Sequence, residues 1–274
     1  MPAINTNTAA NSAVRYLNLN SAQESSALSK LSSGSRITSA SDDAAGLAIS
    51  TRISSDVTTL QQAATNASQA TSILQTADGG ASNISDILAR MKSLASESAS
   101  GTTTDSSRAY INSEFSQLSS EIDSIASGTR YSSQSLLDGT SVFASGVSVL
   151  VGSQASDTIT ITLSSLTATS LGVNALSVTT QAGATTALTT LDSAINQVSA
   201  ARADIGAQES RFNFSADSIS TQTQNLESAN SAIKDVDVAA EQATLSSAEV
   251  KTQAAVSAEA AANQMPQYLL KLLG

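Results

Sequence analysis

Five ionisable side chains, Lys30, Arg36, Asp42, Asp43 and Arg52, stand close together in KLSSGSRITSASDDAAGLAISTRI (residues 30–53), in a chain otherwise rich in Ala, Ser, Thr and Leu. Two adjacent carboxylates can divide acid and base work between them when burial or crowding raises the pKa of one. The same residues also fit a joint. SSGS stops a preceding helix, and Ser41 offers a hydroxyl at the N-cap of the next. Asp42 and Asp43 then fall in the first turn, where the helix dipole favours negative charge. Exposed first-turn aspartates tend to lowered pKa values, so the segment reads as a joint and not as an acid/base pair. A second acidic stretch, KDVDVAAE (234–241), has the flavour of a calcium loop but lacks the central Gly and the full ligand set.

Nothing elsewhere supplies stronger chemistry. The chain has no His and no Cys, which removes thiolate nucleophiles, imidazole bases, triads built on either, and nearly every zinc or iron site. No enzyme is expected, and no catalytic, cofactor-binding or metal-binding residue is assigned. Thirteen basic against 23 acidic residues leave a formal charge of −10 without long runs of either sign. Phosphate binding needs a basic stripe, so nucleic acid is not an expected partner. The N-terminus MPAINTNTAANSAVRYLNLN has neither a basic nor an apolar signal region, and no apolar run approaches the roughly 18 residues of a membrane helix. The expectation is a protein soluble at synthesis, without membrane insertion, whose route out of the cell would not use a cleaved signal peptide.

The elements that position these residues follow from periodicity. Only 3% of the 274 residues are aromatic, none is Trp, and 13% are charged, which suits thin helical contacts between small residues better than a thick core. Leu191, Val198, Ile205, Phe212, Ile219, Leu226 and Ile233 recur at every seventh position. A weaker row holds Leu188, Ile195, Arg202, Glu209, Ala216, Thr223 and Asn230. This is one long helix with a heptad seam, roughly 65 Å from Leu188 to Ile233 at 1.5 Å per residue, and so a rod. Because the weak row is largely polar, the seam needs another helix to cover it. From Ile49, the positions Ile53, Val57, Leu60, Ala64, Ala67, Leu74, Ala77, Ala81, Ile84, Leu88, Met91 and Ala95 supply a second long helix, with Thr71 as its gap. ASGTTTDSS ends that pattern, and Ile111, Phe115, Leu118, Ile122 and Ile125 give a third, shorter helix. Three antiparallel helices can close one bundle.

Between Gly139 and Leu191 the only ionisable side chain is Asp157, and the period falls to two. VSVLV (147–151) and TITITL (158–163) flank GSQASD and predict a β-hairpin. TATSLGVNALSVTTQAGATT (167–186) has further β-prone pieces broken by Gly172 and Gly183, giving a small β element that caps the bundle. At the ends, Val14, Leu17, Leu28 and Leu31 mark a sparse apolar face. Val250, Ala254, Ala258, Ala261, Met265, Leu269 and Leu272 advance by three or four residues. Both ends can be helices, each marginal alone and dependent on a partner's surface, with Pro266 costing one backbone hydrogen bond. The fold class is mainly α: a long antiparallel helical bundle or coiled coil formed by both chain ends, with a small β-hairpin in the middle.

LSSGSRITSASDDAAGLAISTRI closely resembles the N-terminal signature of bacterial flagellins, with Leu31, Ser32, Ser33, Gly34, Arg36, Ile37, Ser39, Ala40, Asp42, Asp43, Ala44, Ala45 and Gly46 in its pattern. ARADIGAQESRFN (201–213) and AAANQMPQYLLKLL (260–273) resemble that family's C-terminal signatures. The large variable surface insert of many members is missing, so the resemblance is to a minimal form. It implies a structural subunit exported unfolded through the flagellar type III apparatus and polymerised into the extracellular filament for swimming. It also implies residues 1–41 and 235–274 as the halves of an inner-tube coiled coil. An outer-tube domain would follow from 42–138, the β-hairpin and β-rich part 139–187, and the long helix 188–234. Subunit packing then falls to the heptad row from Leu191 to Ile233, and inner-tube packing to Leu17, Leu28, Leu31, Val250, Met265, Leu269 and Leu272. The implied partners are further copies of the chain, sister flagellins, hook-associated and cap proteins, and an export chaperone at Leu269, Leu270, Leu272 and Leu273.

Flagellins are also read by an innate immune receptor, and the contact pattern of active members matches at Arg90, Leu94 and Glu114 but departs at Ala89 and Ser93. Arg90 and Leu94, four apart, are expected on one helix face, where they serve either the receptor or subunit packing. Arg202, Glu209 and Arg211 are either solvated charges or ion pairs within or between subunits. Gly206, inside the long helix, suggests a close helix approach. The Ser/Thr-rich stretch 140–190 could accept O-linked sugars, and no use is assigned to the triplets at Asn66, Asn83 and Asn213. A hook-filament junction protein of the same superfamily, or a coiled-coil surface stalk or adhesin, would be the alternatives. The first is less consistent with NQMPQYLLKLL, and the second would carry a self-complementary seam and a cleavable signal. Ends with Ala-rich faces are expected to be unordered in the free monomer.

Overall fold

The computed structural model describes residues 6–273, with side chains up to 267, so Leu269, Leu270, Leu272 and Leu273 lie outside the described side chains. The elements are α1 (Thr8–Ser33), α2 (Ala44–Ala99), α3 (Asp105–Gly128), β1 (Arg130–Tyr131), β2 (Gln134–Ser135), α4 (Val142–Ser145), β3 (Val147–Leu150), β4 (Thr158–Ile161), α5 (Gln181–Lys234) and α6 (Val238–Leu273). They form two compact units, one from 58–224 and one from 1–57 with 225–274. The mainly helical class with a small antiparallel hairpin in mid-chain is therefore present as read from the sequence.

The 58–224 unit has its core between α2, α3, α5 and the connecting segments. Leu74, Ala77, Ala81, Ile84, Leu88 and Met91 of α2 meet Phe115 and Ile122 of α3 and Leu191, Val198, Ile205 and Phe212 of α5, all buried. Small alanines alternate with Leu, Ile and Phe, so helices approach closely with few aromatic groups to fill the space. Antiparallel pairing of α2 and α5 is fixed at the rim. Arg202 donates to both carboxylate oxygens of Asp78 at 2.8 and 3.2 Å, and Gln75 donates to Glu209 at 2.9 Å. Thr104 caps α3 by accepting from the Ser107 N–H. The hairpin pairs Val147 with Ile161 and Leu150 with Thr158, and its inward residues Ile159 and Ile161 join the core.

Two local features were not legible in the sequence. A second, minimal hairpin of β1 and β2 turns on Ser132 and Ser133, both at positive φ (48° and 68°), where a tight two-residue turn prefers Asn-Gly. The segment 167–186, expected to hold β-prone pieces, holds no strand, and its last six residues already belong to α5, which opens at Gln181 with Gly183 inside it. The apolar side chains Leu163, Leu166, Leu171, Val173 and Val178 of the connection between β4 and α5 are buried. Their N–H groups, however, go to scattered acceptors: Leu163 to the Phe143 carbonyl, Leu166 to that of Leu137, Val173 to that of Ala168, and Val178 to the Asn112 side chain. With these donors going to partners in separate segments and not to one neighbouring strand, no ladder forms.

In the other unit, α1 and α6 run antiparallel over a seam of Ala10, Ala27, Leu245, Ala248, Ala255 and Ala262. Asn7 caps α1 by accepting from the Ala10 N–H and donates to the Ala262 carbonyl at 2.7 Å. Gly34 ends α1 in the left-handed conformation, the conformation in which Gly avoids the Cβ penalty. Pro266 lies inside α6.

Candidate functional site

The joint after α1 is held by backbone groups. The Arg36 N–H donates to the Lys234 carbonyl at 2.6 Å, the Val236 N–H to the Gly34 carbonyl at 3.1 Å, and the Arg36 guanidinium to the Ile233 carbonyl at 2.6 Å. The cap of α2 differs from the expected one. Ser41 bonds only to the Ser39 hydroxyl, while Asp43 accepts the Gly46 N–H at 2.8 Å and α2 begins at Ala44. Asp42 turns back instead, accepting from the Ser39 N–H and from the Thr38 N–H and hydroxyl at 2.9–3.0 Å. Those donors, with the Ser39 N–H foremost, hold its carboxyl down at about 2. A general acid at neutral pH needs the opposite shift. The acidic stretch at 234–241 is likewise occupied by structure: Asp235 accepts from the Ser231 hydroxyl, and Asp237 caps α6 through the Ala239 and Ala240 N–H groups. Among the described residues no group of carboxylates is arranged to hold a metal ion, and no helix is long and apolar enough to cross a membrane.

The heptad row of α5 divides. Leu191, Val198, Ile205, Phe212 and Ile219 are buried within the chain, whereas Leu226 and Ile233 are only half-buried. Arg202 takes the ion-pair reading, and Asp78 raises its already high pKa through the paired hydrogen bonds. Glu209 accepts from Gln75, and Arg211 has no ion pair among the described residues. Gly206 does not mark a close approach: nothing lies within 4 Å of where its Cβ would stand. Arg90 and Glu114 meet in an exposed ion pair at 2.7 Å. Leu94 does not share that surface, being 2% exposed in the core. Four residues advance the helix by about 40° past a full turn, enough here to carry a side chain from rim to interior.

The terminal helices show the most unusual surface. Leu17 and Leu31 are half-buried, but Leu28, Val250 and Met265 are exposed. The stripe from Val250 through Ala254 and Ala261 to Met265 lies on the side of α6 turned away from its alanine seam with α1. So α6 carries two apolar stripes, and the single chain covers the one the periodicity did not single out. Tyr16, Leu19 and Val256, outside the expected faces, are also more than half exposed. Their signal in the sequence was only that they are large apolar groups on short amphipathic helices.

Comparison with known proteins gives this arrangement its context. The family model described as the bacterial flagellin N-terminal helical region matches residues 4–142, and that described as the C-terminal helical region matches 188–273. A flagellin of Halalkalibacterium halodurans is 36% identical over 272 residues, covering 98% of this chain and 99% of the relative. The flagellar filament 30.7 kDa core protein of Treponema maltophilum is 35% identical over 282 residues, with the same coverage of each. The crystal structure of Bacillus cereus flagellin superposes with a TM-score of 0.52 at 31% identity, covering 61% of this chain and 94% of that one. Two family matches that together span most of the sequence, and relatives aligned over nearly their whole length, show that the chain belongs to the bacterial flagellins, in a compact form without a large outer domain.

Proposed function

We propose that this flagellin builds its filament chiefly by covering the exposed apolar faces of α1 and α6 with the terminal helices of neighbouring copies. The chain is a structural subunit of the flagellar filament and not an enzyme, and the filament is an extracellular, self-polymerised assembly. One observation carries the assignment of the surface. Of twelve large apolar side chains exposed among the described residues, nine belong to the 1–57/225–274 unit: Val14, Tyr16, Leu19, Leu28, Ile49, Val238, Val250, Val256 and Met265. The seam inside that unit is mostly alanine. Large groups outside and small ones inside invert the usual order, and apolar surface of this extent marks an association site. A contact that repeats without closing gives an open filament.

On this reading residues 1–41 and 235–274 form the inner tube, with Leu17, Leu28, Leu31, Val250, Met265, Leu269 and Leu272 at its contacts. The outer tube comes from 42–138, 139–187 and 188–234, where the half-buried Leu226 and Ile233 continue the packing row into subunit contacts. The same terminal face suits an export chaperone before secretion through the type III apparatus, and hook-associated and cap proteins at the filament's ends. Limited proteolysis of monomer and of seeded polymer tests the reading. The expected result is cleavage within roughly 1–40 and 236–274 in monomer and protection of both in polymer. Equal protection in a monomer that never polymerises would overturn it. Receptor recognition retains the exposed Arg90 and Glu114 without Leu94; receptor-bearing cells that stay silent across a monomer dose series would remove it.

A further inference from the structure

The chain has three methionines, no Cys, no His and no Trp, so its oxidisable sulfur is confined to three thioethers. Met1 lies outside the described residues. Met91 is fully buried among the core residues of the 58–224 unit. Met265 is 58% exposed, on the face of α6 that also carries Val250, Ala254, Ala258 and Ala261. Among the described residues, the side chains one and two turns before Met265 on that stripe, Ala261 and Ala258, carry no hydrogen-bond donor, and the Ser257 hydroxyl at its border is given to the Gln253 carbonyl.

A thioether in this setting is an apolar, adaptable packing group. A peroxide changes that in one step. With hydrogen peroxide, the sulfur lone pair attacks one oxygen, an S–O bond forms as the O–O bond breaks, and the departing hydroxide takes the proton of the new S–OH group and leaves as water. The sulfur is oxidised by two electrons and the peroxide is reduced by two. The product, methionine sulfoxide, is a polar acceptor, and the alanines beside it among the described residues, Ala258 and Ala261, offer it no donor. Burying it against a second copy would leave that acceptor unsatisfied.

We propose that Met265 is an oxidation site that controls polymerisation: open to peroxides in the free subunit, shielded in the filament, and blocking subunit addition once converted to the sulfoxide. The proposal rests on the reading that a neighbouring copy covers this face of α6.

The test uses the full-length monomer treated with hydrogen peroxide, peptide masses to place the added oxygen, and sedimentation after seeding to find the lowest concentration that polymerises. Oxygen is expected on the Met265 peptide and not on that of Met91. The threshold concentration should rise by about tenfold, the order set by one buried unsatisfied acceptor. Met265→Leu, whatever its own threshold, should show the same threshold with and without peroxide, and Met265→Gln should have a raised threshold without it. Treatment with a methionine sulfoxide reductase should restore the original threshold, and Met265 in preformed polymer should resist the oxidant. Oxidised chain that polymerises at the untreated threshold, or Met265→Leu inhibited as strongly as wild type, overturns this proposal alone. Untreated chain that never polymerises on seeds overturns the filament reading and this proposal together.

Discussion

At the scale of single residues the joint between α1 and α2 is an electrostatic device tuned by hydrogen bonds. Asp42 lies at the surface, yet three donors from Thr38 and Ser39 converge on one of its oxygens and lower its pKa to about 2. A carboxyl whose folded pKa is depressed stabilises the fold above its unfolded pKa and loses that contribution as the pH falls through the folded value. The window therefore runs from about 4, the ordinary aspartate value, down to about 2. Asp42→Asn keeps an acceptor oxygen and removes the charge. Thermal unfolding followed against pH should show the variant melting below wild type at neutral pH, with the gap closing between pH 4 and 2. Superimposable profiles across the whole range would contradict the assignment.

At the scale of elements, the turn from α2 to α3 depends on one buried guanidinium. Arg108, 6% exposed, donates to the Ser98 carbonyl at 2.8 Å and the Ser100 carbonyl at 2.7 Å and pairs with Asp105 at 3.3 Å. It thereby satisfies carbonyls left open at the end of α2, while the Ser98 hydroxyl donates to the Val178 carbonyl and ties in the segment before α5. Arg108→Met fills much of the same volume and strands those acceptors, so a loss of roughly 2–4 kcal/mol is expected from the urea midpoint. Arg108→Lys should rescue little, because a single ammonium cannot reproduce the fork. A variant as stable as wild type would show that water replaces the clasp.

At the scale of the whole molecule, a formal charge of −10 works against an assembly driven by apolar contact, since every added copy brings like charge. Screening should relieve the repulsion: the Debye length falls from about 30 Å at 0.01 M salt to about 8 Å at 0.15 M. The threshold for seeded polymerisation should drop over that range, as measured by sedimentation at fixed pH. A threshold that rises with salt would mean that inter-subunit ion pairs outweigh the apolar contacts. The distribution of apolar groups gives the same message in another form. Among the described residues, the 58–224 unit exposes Tyr110, Val142 and Phe214 as large apolar side chains, whereas the terminal unit exposes nine.

The sequence by itself determined what depends on near neighbours along the chain. The heptad row of α5, the spacing of α2 and α3, the stop at Gly34 and the paired hairpin runs each specify their element because helix and strand periods are local properties. The family signatures lie in the same local segments. Only tertiary structure decided which of several acceptable partners each group takes. It buried Leu94 beside an exposed Arg90 and left Gly206 facing open space. It moved the α2 cap from Ser41 to Asp43 and sent the N–H groups of 162–180 to acceptors in several segments instead of one ladder. It also chose the alanine stripe of α6 for α1 and left the one with Val250 and Met265 uncovered. Both stripes have helical spacing, and the periodicity of one helix holds no information on which face the other helix will occupy.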